Sequence, residues 1–247
     1  MRLENRVAII TGAARGIGAA TAERMGKEGA RVAVVDIDLA EANAVVETIR
    51  AAGGDAAAFE CDVAQPTKVE ALVSDVIAHF GGLDILVNNA GICPRISVDD
   101  MTEAMFDKMM NINLKPIFFL TRAAGNAMKA SGGRIVNLSS TGGRIGGVFN
   151  STVYGATKAG ILAMTKSFAR HYAPYNILVN AIAPGAVETR MMTVMPEATL
   201  KGVIESAPLK RLADPAEIAN VIIFLSSDES SWMTGATVDV NGGTLML

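Results

Sequence analysis

Val7-Ala-Ile-Ile-Thr-Gly-Ala-Ala-Arg-Gly-Ile-Gly18 decides the fold. Val7–Ile10 is a short apolar run rich in β-branched residues, and it reads as a buried strand. Thr11–Gly18 follows with its glycines spaced G-x-x-x-G-x-G and leads into a helical stretch, Ile17–Glu28. Gly12, Gly16 and Gly18 carry no Cβ where backbone must come close to a pyrophosphate, and they tolerate the positive φ of a tight turn. The helix behind them offers unpaired N–H groups and the positive end of its dipole to a phosphate. Alone, such a stretch could be an ordinary Gly-rich turn. The next strand, Arg31–Val35, changes that, because Asp36 closes it. A carboxylate there accepts hydrogen bonds from both ribose hydroxyls of an adenosine half and repels a 2′-phosphate. Two unit charges ~4 Å apart interact by ~4 kcal/mol at an effective dielectric of ~20, and a third of that is already ~10-fold in affinity. Asp36 therefore points to NAD rather than NADP. Arg15 pulls mildly the other way: in the glycine loop it either meets a 2′-phosphate or stands as a solvated cation.

Outward from this stretch the chain alternates strands and helices. The expected strands are Ala57–Glu60, Leu83–Val87, Arg134–Leu138, Ile177–Ile182 and Thr237–Val240. The expected helices are Asp38–Ala52, Pro66–Phe80, Met105–Ala130 (kinked or restarted at Pro116), Val153–Tyr172 and Pro215–Leu225. Apolar strands alternating with amphipathic helices mean a parallel sheet covered on both faces. The expectation is one α/β domain over residues 1–247, a Rossmann-type doubly wound seven-stranded parallel sheet. No linker, repeat or low-complexity segment divides it. In such sheets ligands bind beyond the carboxyl ends of the strands, where the strand order switches.

Composition narrows the function classes. Of 247 residues, 50% are hydrophobic and 19% charged, which excludes a disordered chain. The formal net charge is −3 and no basic stripe is visible, so no nucleic-acid partner is expected. Cys61 and Cys93 have no Cys or His at metal-ligand spacing, so neither a metal site nor a disulfide framework is expected. Met1–Arg6 lacks the apolar core of a signal peptide and no apolar run approaches ~18 residues. A cytoplasmic protein with no membrane partner is the expectation.

Residues capable of chemistry gather after the later strands. Asn88-Asn-Ala-Gly91 closes the fourth strand, Asn113 lies in the long helix, Ser139 and Ser140 close the fifth strand, and Tyr154 and Lys158 share a helical face at i and i+4. Tyr-x-x-x-Lys alone is a weak signal. Together with the glycine loop, Asn-Asn-Ala-Gly and the upstream serine, it resembles the short-chain dehydrogenase/reductase family in its single-domain branch, over essentially the whole chain. The resemblance also takes in Asp62-Val63, Pro184-Gly185 with Thr189, and Thr234–Gly243.

By this resemblance the catalytic residues are Asn113, Ser140, Tyr154 and Lys158, with Ser140 taken over Ser139 as the later of the pair. Asp62 and Val63 hold the adenine; Asn88, Asn89, Ala90 and Gly91 line the ribose side; Ile182, Pro184, Gly185, Val187 and Thr189 border the nicotinamide. Tyr154 and Lys158 touch the cofactor as well. The implied reaction is hydride transfer between NAD and a secondary alcohol or ketone. Tyr154 is base in oxidation and acid in reduction, its pKa of ~10 lowered by Lys158 and the oxidised nicotinamide. Ser140 hydrogen-bonds the substrate oxygen, and Asn113 completes a proton path through water.

In layout the chain is similar to 3-oxoacyl-carrier-protein reductases and to NAD-dependent alcohol dehydrogenases. Asp36 counts against the former, and so do Ser131–Arg134 and Ala173–Asn176, where basic residues would meet an acidic carrier. A non-catalytic dinucleotide scaffold is the remote alternative. The substrate pocket is expected between Ile92–Ser97, Thr141–Asn150 and a lid at about 186–208. In that lid Met191, Met192 and Met195 form an adaptable apolar cover or simply pack a helix. Cys93 reads as a small apolar wall residue. Arg95, Arg144 and Arg190 either bind a substrate carboxylate or stand as surface cations. The resemblance implies a homotetramer, with Val153–Tyr172 and the tail Thr244–Leu247 as interface candidates.

Overall fold

A computed structural model describes residues Met1–Leu247. Seven parallel strands form one sheet: β1 (Val7–Thr11), β2 (Arg31–Asp36), β3 (Asp55–Glu60), β4 (Ile85–Asn88), β5 (Gly133–Leu138), β6 (Ile177–Pro184) and β7 (Thr237–Val240). Their spatial order is β3-β2-β1-β4-β5-β6-β7, so the order reverses between β1 and β4. This is the expected doubly wound Rossmann-type domain.

Helices cover both faces: α1 (Gly16–Lys27), α2 (Leu39–Ala51), α3 (Pro66–Phe80), α4 (Glu103–Met109), α5 (Lys115–Ala127), α6 (Gly142–Ile145), α7 (Thr152–Tyr172), α8 (Arg190–Thr193), α9 (Glu197–Ser206) and α10 (Pro215–Ser226). Alternation along each strand feeds two cores. Ala8, Ile10, Val32, Val34, Ile85 and Val87 face one core, shared with α1, α2 and α10 through Ala22, Met25, Val46, Ile49, Ile218 and Ile222. Val7, Ile9, Ala33, Val35 and Leu86 face the other, against α3, α5 and α7 through Val73, Val76, Leu120, Ala124, Ala169 and Tyr172. Truncating one of these buried aliphatics to Ala costs about 2–5 kcal/mol. The sheet therefore holds its carboxyl edge rigidly.

The helix expected to kink or restart at Pro116 does so through a π-helical turn. The helical run is unbroken from Glu103 to Ala127: α4 ends at Met109, a π-helical turn spans Met110–Leu114, and α5 begins at Lys115. Pro116 is the cause. It has no N–H for the carbonyl four residues earlier and its ring crowds that carbonyl, so it is tolerated only in the first turn of a new helix. The wide turn carries Asn113 into the interior.

The expected lid segment holds α8 and α9, which follow β6 directly. No helix is long and apolar enough to cross a membrane, and no cluster of His, Cys, Asp or Glu could hold a metal ion.

Candidate active site

The glycine loop is stitched to the switch point from below. Asn89 Nδ2 donates to the carbonyls of Thr11 (2.8 Å) and Gly12 (2.9 Å), while Thr11 Oγ1 accepts the N–H groups of Asn89 (3.1 Å) and Ala90 (3.2 Å). Gly12 has φ +62°, and a Cβ there would stand 2.9 Å from Ala90 Cα; a Cβ on Gly18 would overlap the Gly12 carbonyl oxygen. No side chain caps α1 at Arg15 and no acid occupies its first turn, so the helix start is left open for an anion. Thr189 closes over this spot, with its Cγ2 3.2 Å from where a Gly16 Cβ would be.

Asp36 ends β2 at 8% exposure. Its Oδ2 accepts the Ala14 N–H at 3.0 Å and its Oδ1 the Asp38 N–H at 3.1 Å. Each oxygen keeps a lone pair, so the carboxylate is fixed without being used up. Arg15, expected either to meet a 2′-phosphate or to be a solvated cation, is half-exposed and pairs with Glu41 at 3.2 Å and Asp38 at 4.0 Å. Asp62 accepts from the Ala64 N–H (3.0 Å) and from Gln65 Nε2 (2.9 Å), beside buried Val63. These groups, with the open helix start, suit a dinucleotide lying across β2, β1 and β4.

Two expected cofactor contacts are corrected. Asn88 faces the core, not the ribose: its Nδ2 donates to Asn137 Oδ1 (2.8 Å) and Thr121 Oγ1 (3.2 Å). Ile182 is fully buried in the sheet core, and a nicotinamide has no access to its side chain. Gly91 and Gly185 do border the cleft region. A Cβ on Gly91 would lie 3.4 Å from Asn113 Oδ1 and 3.6 Å from Lys158 Nζ, and Gly185 lies against Asn241. Pro184 ends β6, and buried Val187 pairs with Ala213 before Thr189.

The catalytic end is built by α7 and the π-helical turn. Lys158 is 4% exposed and donates to the Leu138 carbonyl at 2.7 Å, which holds its Nζ at the end of β5. Burial pushes its pKa down to about 8. Ser139 donates to the Lys158 carbonyl at 2.8 Å and is thereby committed to packing α7 on β5. Ser140 accepts the Gly142 N–H at 3.1 Å, and its hydroxyl hydrogen-bonds the Tyr154 hydroxyl rather than the backbone of α7. Geometry thus distinguishes two adjacent serines that the sequence separates only by resemblance.

Asn113 is completely buried. Its Nδ2 donates to the Ile92 carbonyl (2.8 Å) and to Thr157 Oγ1 (3.3 Å), and its Oδ1 accepts the Ile92 N–H (2.8 Å). In this structure the Asn113 side chain fastens the start of the pocket loop to α7, with both Nδ2 protons and one Oδ1 lone pair engaged by protein groups.

The expected lowering of the Tyr154 pKa by Lys158 and an oxidised nicotinamide is opposed by burial. Packing around its hydroxyl pushes Tyr154 up to about 12, with Cys93 adding to the rise and Ser140 and Arg95 opposing it. Lys158 Nζ sits 5.5 Å from the centre of the Tyr154 ring, with one of its three protons directed at the Leu138 carbonyl. Desolvation wins over attraction in the protein alone. At neutral pH the site holds a phenol with its proton in place. Cys93 is half-buried and its thiol is also raised by burial, which keeps it from being a nucleophile.

Three residues escaped sequence reasoning. Ile37, 65% exposed beside Asp36, offers an apolar surface at the adenosine edge; an aliphatic residue directly after the strand's terminal acid was the available signal. Thr157 helps anchor Asn113, and its place inside Tyr-x-x-x-Lys was visible. Glu41 pairs with both Arg15 and Arg190, and nothing in the sequence joined these residues.

Comparison with known proteins covers the same ground. A family model described as enoyl-(acyl carrier protein) reductase matches residues 12–244. The 3-oxoacyl-[acyl-carrier-protein] reductase FabG of Thermotoga maritima is 39% identical over 247 residues, covering 100% of both chains. An uncharacterized oxidoreductase of Mycobacterium bovis is 42% identical over 244 residues, covering 98% of this chain and 97% of the relative. The crystal structure of a short-chain type dehydrogenase/reductase from Mycobacterium marinum superposes with a TM-score of 0.94 at 32% identity, covering 99% of this chain and 97% of that one.

Proposed function

The chain belongs to the short-chain dehydrogenase/reductases, oxidoreductases that work with a nicotinamide dinucleotide, and on that premise we propose that it reduces a 3-oxoacyl compound to its 3-hydroxyacyl counterpart with NADH. The observation that carries it is the grouping of Tyr154 and Lys158 at the end of β5, with Lys158 Nζ fixed by the Leu138 carbonyl and 5.5 Å from the centre of the Tyr154 ring; burial raises the Tyr154 pKa, which suits the phenol to the acid role in reduction. When bound, the reduced dinucleotide supplies a hydride to the carbonyl carbon. Tyr154 gives its proton to the carbonyl oxygen. Ser140 donates a hydrogen bond to that same oxygen and stabilises the charge developing on it. Lys158, held by the Leu138 carbonyl, provides positive charge behind Tyr154 and favours the phenolate left after proton transfer. Asn113 keeps Ile92, and so the pocket wall, in place.

The 3-oxoacyl substrate rests on full-length similarity to reductases of that name. The choice of NADH rests on three carboxylates. Asp36 occupies the ribose position, while Asp38 and Glu41 already engage Arg15, the one cation of the loop. A 2′-phosphate would meet anions there instead of a free guanidinium.

A second reading is oxidation of a secondary alcohol by NAD. Asp36 favours it, and so does the place where a carrier protein would dock, which presents Lys129 over the Tyr175 ring at 5.1 Å rather than a group of free cations. The test is NADH consumption with short 3-oxoacyl thioesters and acids. Turnover supports the first reading. Inactivity across chain lengths, with secondary alcohols reducing NAD, replaces it by the second.

We also propose a cytoplasmic homotetramer. Exposed Ala156, Ala159 and Ala163 on α7, beside exposed Phe118 packed on Phe168, support an interface there. The tail supports another, since Met246 and Leu247 do not fold back onto the core. Sedimentation at micromolar concentration tests this, and a monomer overturns it.

A further inference from the structure

The three segments expected to wall the substrate pocket carry one arginine that no carboxylate answers. Of the three candidates for a substrate anion, Arg144 pairs with Asp239 at 2.9 Å and Arg190 with Glu41 at 3.2 Å. Arg95 has no acidic partner. Its Nη1 donates to the Phe149 carbonyl at 3.3 Å and its Nη2 to the thioether sulfur of Met195 at 3.1 Å, and its buried Nε has no partner at all. A long bond to a carbonyl and a contact with sulfur are poor company for a guanidinium, whose natural partner is a planar oxyanion.

Its location is equally specific. Arg95 belongs to the loop that starts at Ile92, where Asn113 pins it, and is held again where the Ile96 N–H donates to the Asn150 carbonyl at 2.8 Å. Phe149 lies on the stretch after Ser140, and Met195 lies on the lid at 6% exposure. Arg95 therefore touches the second and third walls of the substrate pocket from within the first. Its charge also reaches the reacting groups, for it is among the influences that favour ionisation of Tyr154 and Cys93.

We propose that Arg95 binds a carboxylate carried by the substrate, so that the preferred compound is a short 3-oxo acid, or the matching 3-hydroxy acid, with its carboxylate free. This rests on the reductase reading above and specifies its substrate class. A carboxylate gives the guanidinium two parallel N–H···O bonds in place of the carbonyl and the sulfur. Because Met195 is the group displaced, the lid shifts when the acid enters.

The test compares 3-oxobutanoate with its methyl ester, which has the same reacting carbonyl and no charge, using wild type, Arg95→Met and Arg95→Lys with NADH. The expected result is at least a tenfold higher kcat/KM for the acid in wild type. Arg95→Met should abolish that preference while turnover of the ester persists, and Arg95→Lys should restore part of it. If Arg95→Met does not fold, inhibition of wild type by butanoate against butyramide gives the same comparison, with tighter binding of butanoate expected. Equal kcat/KM for acid and ester, or equal inhibition by the two probes, overturns the role of Arg95 and leaves the reductase reading intact. Inactivity on acid, ester and thioester alike overturns the reductase reading itself and Arg95's role with it.

Discussion

The Asn113 carboxamide closes on the backbone of Ile92 from both sides, donating to its carbonyl and accepting its N–H, each at 2.8 Å. A buried Asn with both ends engaged by one residue is a fastener, and what it fastens is the first residue of the pocket loop. Replacement by Ala leaves the two Ile92 groups and the Thr157 hydroxyl without this partner, at about 1–3 kcal/mol for each buried group left unpaired. Asn113→Ala should lower Tm by several degrees and kcat/KM by about 10²-fold through misplacement of the loop. Its pH profile should keep the wild-type shape, because no titrating group is lost. A profile shifted by more than half a unit would instead place Asn113 in the proton path.

Asp36 should control cofactor choice through charge and loop order through its hydrogen bonds, and two substitutions separate these. Asp36→Asn removes the charge and one of the two acceptor oxygens, so NADH binding should weaken about tenfold and NADPH binding should tighten, with the loss of one backbone hydrogen bond. Asp36→Ala also leaves the Ala14 and Asp38 N–H groups without their acceptor, so it should lose a further ~1–3 kcal/mol of stability. Nicotinamide fluorescence titrations and thermal melts measure the two effects. Unchanged NADH and NADPH dissociation constants in Asp36→Asn would remove the charge argument.

Lys158 should set the alkaline limb of reduction. Its ammonium is lost as pH rises through about 8, while Tyr154 keeps its proton until about 12. Reductive kcat/KM should therefore be flat below about pH 8 and fall about tenfold per unit above it. Lys158→Arg, which stays charged, should lose that limb along with much of the rate. The same shift acts on stability with a definite sign. Between about 8 and the ordinary 10.5 the unfolded chain binds the proton that the folded chain has released, so this residue makes stability rise with pH in that window. Below it, a buried charge is carried at a cost. Lys158→Met should accordingly be inactive and melt higher than wild type at pH 7, and a lower Tm would count against the buried-charge account.

The adjacent serines should separate cleanly. Ser140 shares its hydroxyl with Tyr154 and so can turn to a substrate oxygen beside it, so Ser140→Ala should reduce kcat by about 10²–10³-fold with little change in Tm. Ser139 is spent on the Lys158 carbonyl, so Ser139→Ala should cost about 1 kcal/mol of stability and much less activity. Steady-state kinetics beside melting curves will show whether the two effects exchange.

What the sequence determined by itself is everything that depends on local pattern. Apolar runs at Val7–Ile10, Arg31–Val35 and Arg134–Leu138 could only be strands buried on both faces, and the glycines of Thr11–Gly18 mark where backbone is needed without Cβ. Tyr154 and Lys158 share a helical face because helix geometry puts i and i+4 together, whatever lies around them. The tertiary structure decided what depends on neighbours distant in the chain. Pro116 signalled a break, but only packing made it a π-helical turn that buries Asn113 against Ile92 and Thr157. Asn88 and Asn89 are adjacent, yet strand alternation sends one into the core network and the other to the glycine loop. Three pocket arginines look alike in sequence, and only the positions of Asp239 and Glu41 leave Arg95 unanswered. Desolvation is likewise a property of the whole surroundings, which is why burial, not the lysine one helical turn away, sets the proton on Tyr154.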